Sequence, residues 1–506
     1  MTDLERTNAS PRTASSDRAL TGIAGLDAIL AGGLPRNHLY LIDGEPGTGK
    51  TTLALQFLLE GTRRGEKGLY VTLSESSSEL QGVAESHGWD LAGIELFELI
   101  ADGAPAEEYT IFHPAEVELQ ETVGEVLTAV ERVNPTRIVF DSLSEMRLLA
   151  REPLRFRRQI LALKQFFAGR ECTVLLLDDR SAPEGDVQLH SLAHGVISLE
   201  HLAMEYGAER RRMQVTKLRG VRFRGGYHDF RICTGGIEVY PRVRSTQSDA
   251  APIVESVTSN STTLDALLGG GIATGTSTLI VGAAGTGKTV LTLQYLHASV
   301  ERGERVRLFM FDERMHTFLT RAEGLGIDLS AAMADGRFSL VQIEPTSMSP
   351  GEFASEVVKA VERDHVAMIA IDSVNGYLNA MPAEQLLGVQ LHELLSYLAN
   401  HGVTSILTLV QRGVFGGPIQ EEADVSYLAD TVVLLRYFEY QGAVRGAISV
   451  VKKRSGSHEH TIRECRVGPG GLEVGAPLSE FRGVLTGVPE YTGESAPLMR
   501  RQSDRQ

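Results

Sequence analysis

Two runs of this chain carry residue types suited to phosphate chemistry. Gly44, Gly47, Thr48, Gly49, Lys50, Thr51 and Thr52 form the first, and Gly282, Gly285, Thr286, Gly287, Lys288, Thr289 and Val290 the second. Both read G-x-x-x-x-G-K-T, follow an apolar run and precede an amphipathic stretch (51–60 and 289–300). In that context the glycines let the loop wrap until backbone N–H groups and the helix N-terminus face phosphate oxygens. Lys50 and Lys288 then neutralise the β- and γ-phosphates of ATP, and Thr51 and Thr289 ligate Mg2+.

A magnesium-bound triphosphate also needs a carboxylate at the end of a buried strand. Ile138-Val-Phe-Asp141 and Ile369-Ala-Ile-Asp372 supply one each, so Asp141 and Asp372 join the metal set, partly through water; the alternative is an aspartate capping the next helix. A base that orients water against the γ-phosphate belongs at another strand end. Asp312 and Glu313 follow one such run, and Ser74 and Glu75 its counterpart, so Glu75, Asp312 and Glu313 are the catalytic candidates, with surface carboxylates as the plainer reading. Lys217 and Arg219, and Lys452 and Arg454, follow strand-like alternation late in each half. They either reach a neighbouring subunit's γ-phosphate in a ring or form a solvated charged face.

Positioning these groups twice requires two related domains. The landmarks recur in order, Thr21 to Asp27 with Ser261 to Asp265, then Gly32-Gly33 with Gly269 to Gly271, then the phosphate loops. The second copies follow the first by 238 residues at the lysine and 231 at the aspartate. Short apolar runs (39–42, 68–73, 137–140 and 173–177; 278–281, 306–311, 368–371 and 405–410) alternate with amphipathic stretches. That alternation predicts an α/β fold, a mostly parallel sheet flanked by helices in each half. The expected plan is a disordered tail at 1–18, a first domain at 19–242, a Ser/Thr/Ala/Pro-rich linker at 243–258, a second domain at 259–487 and a flexible tail at 488–506.

Bulk composition agrees. The chain has 506 residues, 42% hydrophobic and 23% charged, enough for more than one core. A formal charge of −16 counts against a dedicated duplex-DNA binder, although Arg210 to Arg224 is locally basic. Cys172, Cys233 and Cys465 stand apart without a CxxC pair, and no long apolar span or leader is evident. A cytoplasmic protein with no membrane contact is expected, and nucleic acid is a poor fit as partner.

Beyond the loops, Gly32-Gly-Leu-Pro35, Glu209-Arg-Arg-Arg212, Lys217-Leu-Arg-Gly220, Asp430 to Arg436, Thr461-Ile-Arg-Glu464 and Glu480 to Gly487 carry a more specific signal. Through them, from about residue 19 to 487, the chain resembles the KaiC family of tandem RecA-type ATPases and autokinases of the cyanobacterial clock. The resemblance implies a homohexamer of two rings with ATP between subunits, an ATPase ring first and a self-phosphorylating ring second. A KaiB-like or other signalling protein is then a candidate partner. The family's Ser-Thr acceptor pair falls on Ser426 and Tyr427, which leaves Ser426 as the phosphoacceptor of a single-site cycle. Ser74 stands where the family has its first catalytic glutamate, Asp312 replaces the corresponding glutamate of the second domain, and Ser455 replaces the glycine after the second finger. Three functions follow: an ATPase and serine/threonine autokinase acting as a signalling or timing hub, an ATP-driven scaffold without phosphotransfer, or a RecA-like DNA-dependent ATPase.

Overall fold

A computed structural model of the protein describes residues 17–99, 115–150, 152–179, 187–203, 207–244, 255–344, 347–379, 387–411, 426–485 and 489–493. The chain divides into two units, Met1–Arg242 and Val243–Gln506. Each contains a nine-stranded sheet.

In the first unit the sheet strands are β1 (Leu39–Gly44), β2 (Gly68–Thr72), β3 (Ile94–Glu98), β4 (Arg137–Asp141), β5 (Thr173–Asp179), β6 (Gly195–Leu202), β7 (Arg210–Leu218), β8 (Tyr227–Cys233) and β9 (Gly236–Tyr240). In the second they are β10 (Ser277–Gly282), β11 (Val306–Met310), β12 (Phe338–Gln342), β13 (Met368–Asp372), β14 (Thr404–Val410), β15 (Thr431–Tyr440), β16 (Ala443–Lys453), β17 (Arg463–Gly468) and β18 (Gly471–Pro477). The orders β9-β8-β7-β6-β1-β5-β4-β2-β3 and β18-β17-β16-β15-β10-β14-β13-β11-β12 are the same order written twice. From β6 to β3 and from β15 to β12 neighbours run parallel, and the remaining strands add an antiparallel wing. These are two tandem RecA-like α/β sheets, and the internal repeat read from the sequence is a repeat of topology.

Strands buried on both faces explain the near-continuous apolar runs. Alternate residues of β1 enter different cores: Tyr40 and Ile42 pack with the helix after the phosphate loop, and Leu39 and Leu41 with the layer on the opposite face. The second sheet is sandwiched in the same way. Helix α1 (Lys50–Arg63) buries Leu53, Ala54, Leu55, Phe57 and Leu58, and α2 (Lys288–Glu301) buries Val290, Leu291, Leu293, Tyr295 and Leu296. Both helices start at a glycine with positive φ, Gly49 at 99° and Gly287 at 98°, a conformation that L side chains resist. A Cβ on Gly49 would also lie 2.7 Å from Ile232 Cδ1.

Short ladders lie at or across the boundaries drawn from sequence in three places. Arg18 already pairs with Pro35, and Ser256–Val257, inside the expected linker, pairs with Ile272–Ala273. Glu490–Tyr491, inside the expected flexible tail, pairs with Phe481–Arg482, and the Tyr491 ring packs on Phe481 at 5.2 Å and on Tyr440 at 5.1 Å. Two-residue ladders are too short to leave a periodicity. No helix among the described residues is long and apolar enough to cross a membrane.

Candidate active site

In a parallel sheet, ligand chemistry gathers beyond the carboxyl ends of the strands. β1 and β10 deliver the two phosphate loops to that edge. Thr48 N–H and Oγ1 donate to Glu45 O at 3.3 and 2.8 Å, and Thr286 N–H and Oγ1 to Ala283 O at 3.4 and 2.8 Å, so the loops share one conformation. Lys50 Nζ donates to Gly44 O at 2.9 Å and Glu45 O at 3.0 Å; Lys288 Nζ donates to Ala283 O at 2.8 Å. Thr52 and Val290 are buried, and Val290 packs into the core, so it offers a ligand only its backbone N–H.

β4 and β13 bring the strand-end aspartates to the same place. Thr51 Oγ1 donates to Asp141 Oδ2 at 3.3 Å and Thr289 Oγ1 to Asp372 Oδ2 at 2.7 Å. The peptide bonds that follow, Asp141–Ser142 and Asp372–Ser373, are both cis. Burial raises the Asp141 carboxyl above its ordinary value, opposed by hydrogen bonds from Tyr70 and Thr51 and by the Lys50 charge. Magnesium takes hard oxygen donors and keeps several waters. A threonine hydroxyl against a carboxylate in each unit fits that donor chemistry. No group of three or more His, Cys, Asp or Glu side chains suited to a metal is present among the described residues.

Glu75 follows β2, where its backbone is pinned. Thr72 Oγ1 accepts from Glu75 N–H at 2.9 Å and donates to Glu75 O at 2.7 Å, and the Ser76–Glu79 capping box starts the next helix, Ser77–Ser86. Glu75 Oε2 is buried without a hydrogen-bond partner. Burial pushes its carboxyl up, Asp141, Glu79 and Asp179 add to that, and Lys50 opposes it. In the second unit Glu313 pairs with Arg321, and Ser373 Oγ donates to Asp312 Oδ2. Burial also raises Glu313, with Arg321 opposing and Asp372 adding. Glu75 therefore lies within electrostatic reach of Lys50 and Asp141, Glu313 lies within reach of Asp372, and Asp312 meets the serine that follows Asp372.

The late cations do not. Lys217 sits opposite Val196, near the start of β6, whereas Gly44 leads into the loop opposite Leu199. Lys452 pairs with Val432 while Gly282 pairs with Leu435. At about 3.3 Å per residue the offset is roughly 10 Å along the sheet, so these residues face the edge away from their own loop. Lys217 Nζ holds His190 O at 2.5 Å and Ala193 O at 2.8 Å, and Arg219 holds Ser191 O at 2.9 Å. Correspondingly, Lys452 Nζ holds Ser426 O at 3.0 Å and Ala429 O at 2.8 Å, and Arg454 holds Tyr427 O at 3.1 Å. Ser426 lies exposed in that turn, at the edge where Asp430 accepts from Ser277 Oγ at 3.0 Å. Glu421, Glu422 and Asp424, its acidic neighbours in sequence, lie outside the described residues.

Sequence reading missed several residues here. Asp179 Oδ1 is 2.7 Å from Lys50 Nζ, and Arg147 pairs with Asp178 Oδ2 at 2.6 Å. His190 Nε2 lies 3.1 Å from Asp43 Oδ2. Two acids closing the run 173–177 were a visible signal. Tyr70, buried in mid-strand with its hydroxyl 2.5 Å from Asp141 Oδ2, left none.

Fold and site together define a tandem P-loop protein of the RecA-like class. A family model described as "ATPase: KaiC" matches residues 19–244 and 257–479, and the chain belongs to that family of ATPases. It is 27% identical over 482 residues to the circadian clock protein KaiC3 of Synechocystis sp., covering 94% of this chain and 95% of that one. It is 28% identical over 520 residues to the circadian clock oscillator protein KaiC of Picosynechococcus sp., covering 97% and 98%. The KaiC of Thermosynechococcus vestitus is 28% identical over 507 residues, covering 97% and 95%.

Proposed function

We propose that both units bind and hydrolyse Mg-ATP, that the second also phosphorylates Ser426, and that the assembled protein is a homohexameric signalling or timing hub. The observation that carries the hydrolytic reading is the repeated meeting of a loop threonine with a strand-end aspartate, Thr51 with Asp141 and Thr289 with Asp372, with Glu75 within electrostatic reach of Asp141 and Lys50 and Glu313 within reach of Asp372. Thr51 and Asp141, and Thr289 and Asp372, are the residues that would hold Mg2+, whose role when bound is to neutralise charge on the phosphates. Lys50 and Lys288 hold phosphate oxygens. Glu75 and Glu313 accept the proton of the attacking oxygen, water in hydrolysis or Ser426 Oγ in phosphotransfer, and ADP leaves.

The distance between the two edges of a sheet supports assembly. Ser426 belongs to the edge where β10 begins, its own P-loop to the edge where β10 ends, about 16 Å away over six residues. Transfer to Ser426 therefore comes from ATP bound to another copy of the chain, and Lys452 and Arg454 act there as fingers, as Lys217 and Arg219 do in the first ring. A KaiB-like protein, or a signalling protein of another kind, would read the result. Tyr427 beside Ser426 favours a second reading, an ATP-driven scaffold without phosphotransfer. Intact-mass and phosphopeptide analysis after incubation with Mg-ATP separates the two: phosphate on Ser426 that is lost in Glu313→Gln supports the autokinase, and continued ATP turnover with no phosphate supports the scaffold.

A further inference from the structure

The two strand-end aspartates are held by opposite neighbours. In the first unit Tyr70, on β2, donates to Asp141 Oδ2 at 2.5 Å. In the second unit Thr408, on β14, donates to Asp372 Oδ1 at 2.5 Å. Register makes the exchange explicit. Tyr70 pairs with Val139, two residues before Asp141, and Leu308 pairs with Ala370, two residues before Asp372, so Leu308 is the counterpart of Tyr70. Ile42 of β1 pairs with Leu177 and Ile280 of β10 with Thr408, so Leu177 is the counterpart of Thr408. All four side chains are fully buried. Each site thus has one hydroxyl donor and one leucine flanking its aspartate, with the two roles traded between strands.

We infer that Tyr70 and Thr408 are positioning residues with one task. Each fixes its aspartate's rotamer, so that the carboxylate meets the threonine hydroxyl and the hydrated cation in a set orientation. A hydrogen bond to a charged acceptor in a dry site is among the stronger single contacts. Without it the carboxylate has no hydrogen bond from either of these flanking positions, because the leucine on the other strand offers none. The inference rests on reading both sites as Mg-nucleotide sites.

The test is nucleotide affinity with and without the metal, which separates orientation of the carboxylate from general damage. In full-length protein carrying Lys288→Ala, a fluorescent ADP analogue is titrated into the first site with Mg2+ and with EDTA. Tyr70→Phe is expected to leave the EDTA affinity unchanged and to reduce the gain on adding Mg2+ about tenfold. Adding Leu177→Thr, which copies the second unit's arrangement, is expected to restore most of that gain. The near-isosteric Thr408→Val, in protein carrying Lys50→Ala, is expected to reduce the Mg2+ gain at the second site likewise. An unchanged gain in Tyr70→Phe and Thr408→Val overturns the inference, as does a loss that is equal with Mg2+ and with EDTA. A first site that binds no analogue under either condition refutes the Mg-nucleotide reading itself.

Discussion

Lys50 Nζ and Asp179 Oδ1 stand 2.7 Å apart, and Lys288 has no such pair among the described residues of the second unit, where Val410 occupies the position across from Gly282 that Asp179 occupies across from Gly44. A nucleotide entering the first site must share the loop lysine with this carboxylate, and its phosphates meet an extra negative charge. Asp179→Asn should therefore tighten ATP binding at the first site by about three- to tenfold, the effect of one partly shielded charge pair of ~1 kcal/mol. Equilibrium titration in protein carrying Lys288→Ala checks this. Unchanged or weaker binding would show that the pair does not oppose nucleotide.

The raised carboxyl of Glu75 makes a pH prediction. A base works only when ionised, so first-site turnover should fall on acidification, with its midpoint above the ordinary glutamate value of 4.5. Asp179 is one of the charges holding Glu75 up, after burial, Asp141 and Glu79, so Asp179→Asn should move the midpoint to lower pH. Glu75→Gln and Glu313→Gln should each reduce turnover at their own site by about 10²–10⁴. A pH profile unaltered by Asp179→Asn would argue against Glu75 as the base.

The edge-to-edge placement of the proposed fingers predicts complementation. In protein carrying Lys288→Ala, neither Lys50→Ala nor Arg219→Ala should turn over ATP well, because one lacks its loop lysine and the other its finger. Mixed and allowed to reassemble, the two should recover part of the activity, since one chain supplies the loop and the other the arginine. Turnover that never rises on mixing would contradict action in trans.

Stability of the first unit should depend on one ion pair. Arg137 is fully buried, its Nε lies 2.5 Å from Glu66 Oε2, and its Nη1 donates to Leu20 O and Phe57 O at 2.7 and 2.6 Å. Glu66→Ala leaves that guanidinium in the core without its carboxylate, at a cost of about 3–5 kcal/mol. Burial alone would raise the Glu66 carboxyl, but the hydrogen bonds and charges of Arg36 and Arg137 outweigh it and hold it below 4.5. The stabilisation is therefore present above the unfolded value and lost as pH falls through the lower folded one. Denaturant unfolding across pH 3 to 7 checks both size and direction; a variant as stable as wild type would contradict the assignment.

How much was legible beforehand differs by element. Loops that bind phosphate have almost no freedom in composition, so Gly49-Lys50-Thr51 and Gly287-Lys288-Thr289 declare themselves. Asp141 and Asp372 were readable because an acid ending an apolar run is unusual. Tyr70 and Thr408 were not, because a hydroxyl inside a buried strand reads as filler until register shows which carboxylate it meets. The ladder Ser256–Val257 was lost for another reason: two residues carry no period, and its partner Ile272–Ala273 is distant in sequence.

On the proposed function this chain runs two separate Mg-ATP sites. Steady-state ATP turnover of wild type, Lys50→Ala, Lys288→Ala and the double variant tests it most directly. Partial activity in each single variant and none in the double is the predicted result. Wild-type turnover in the double variant would contradict the assignment of both sites.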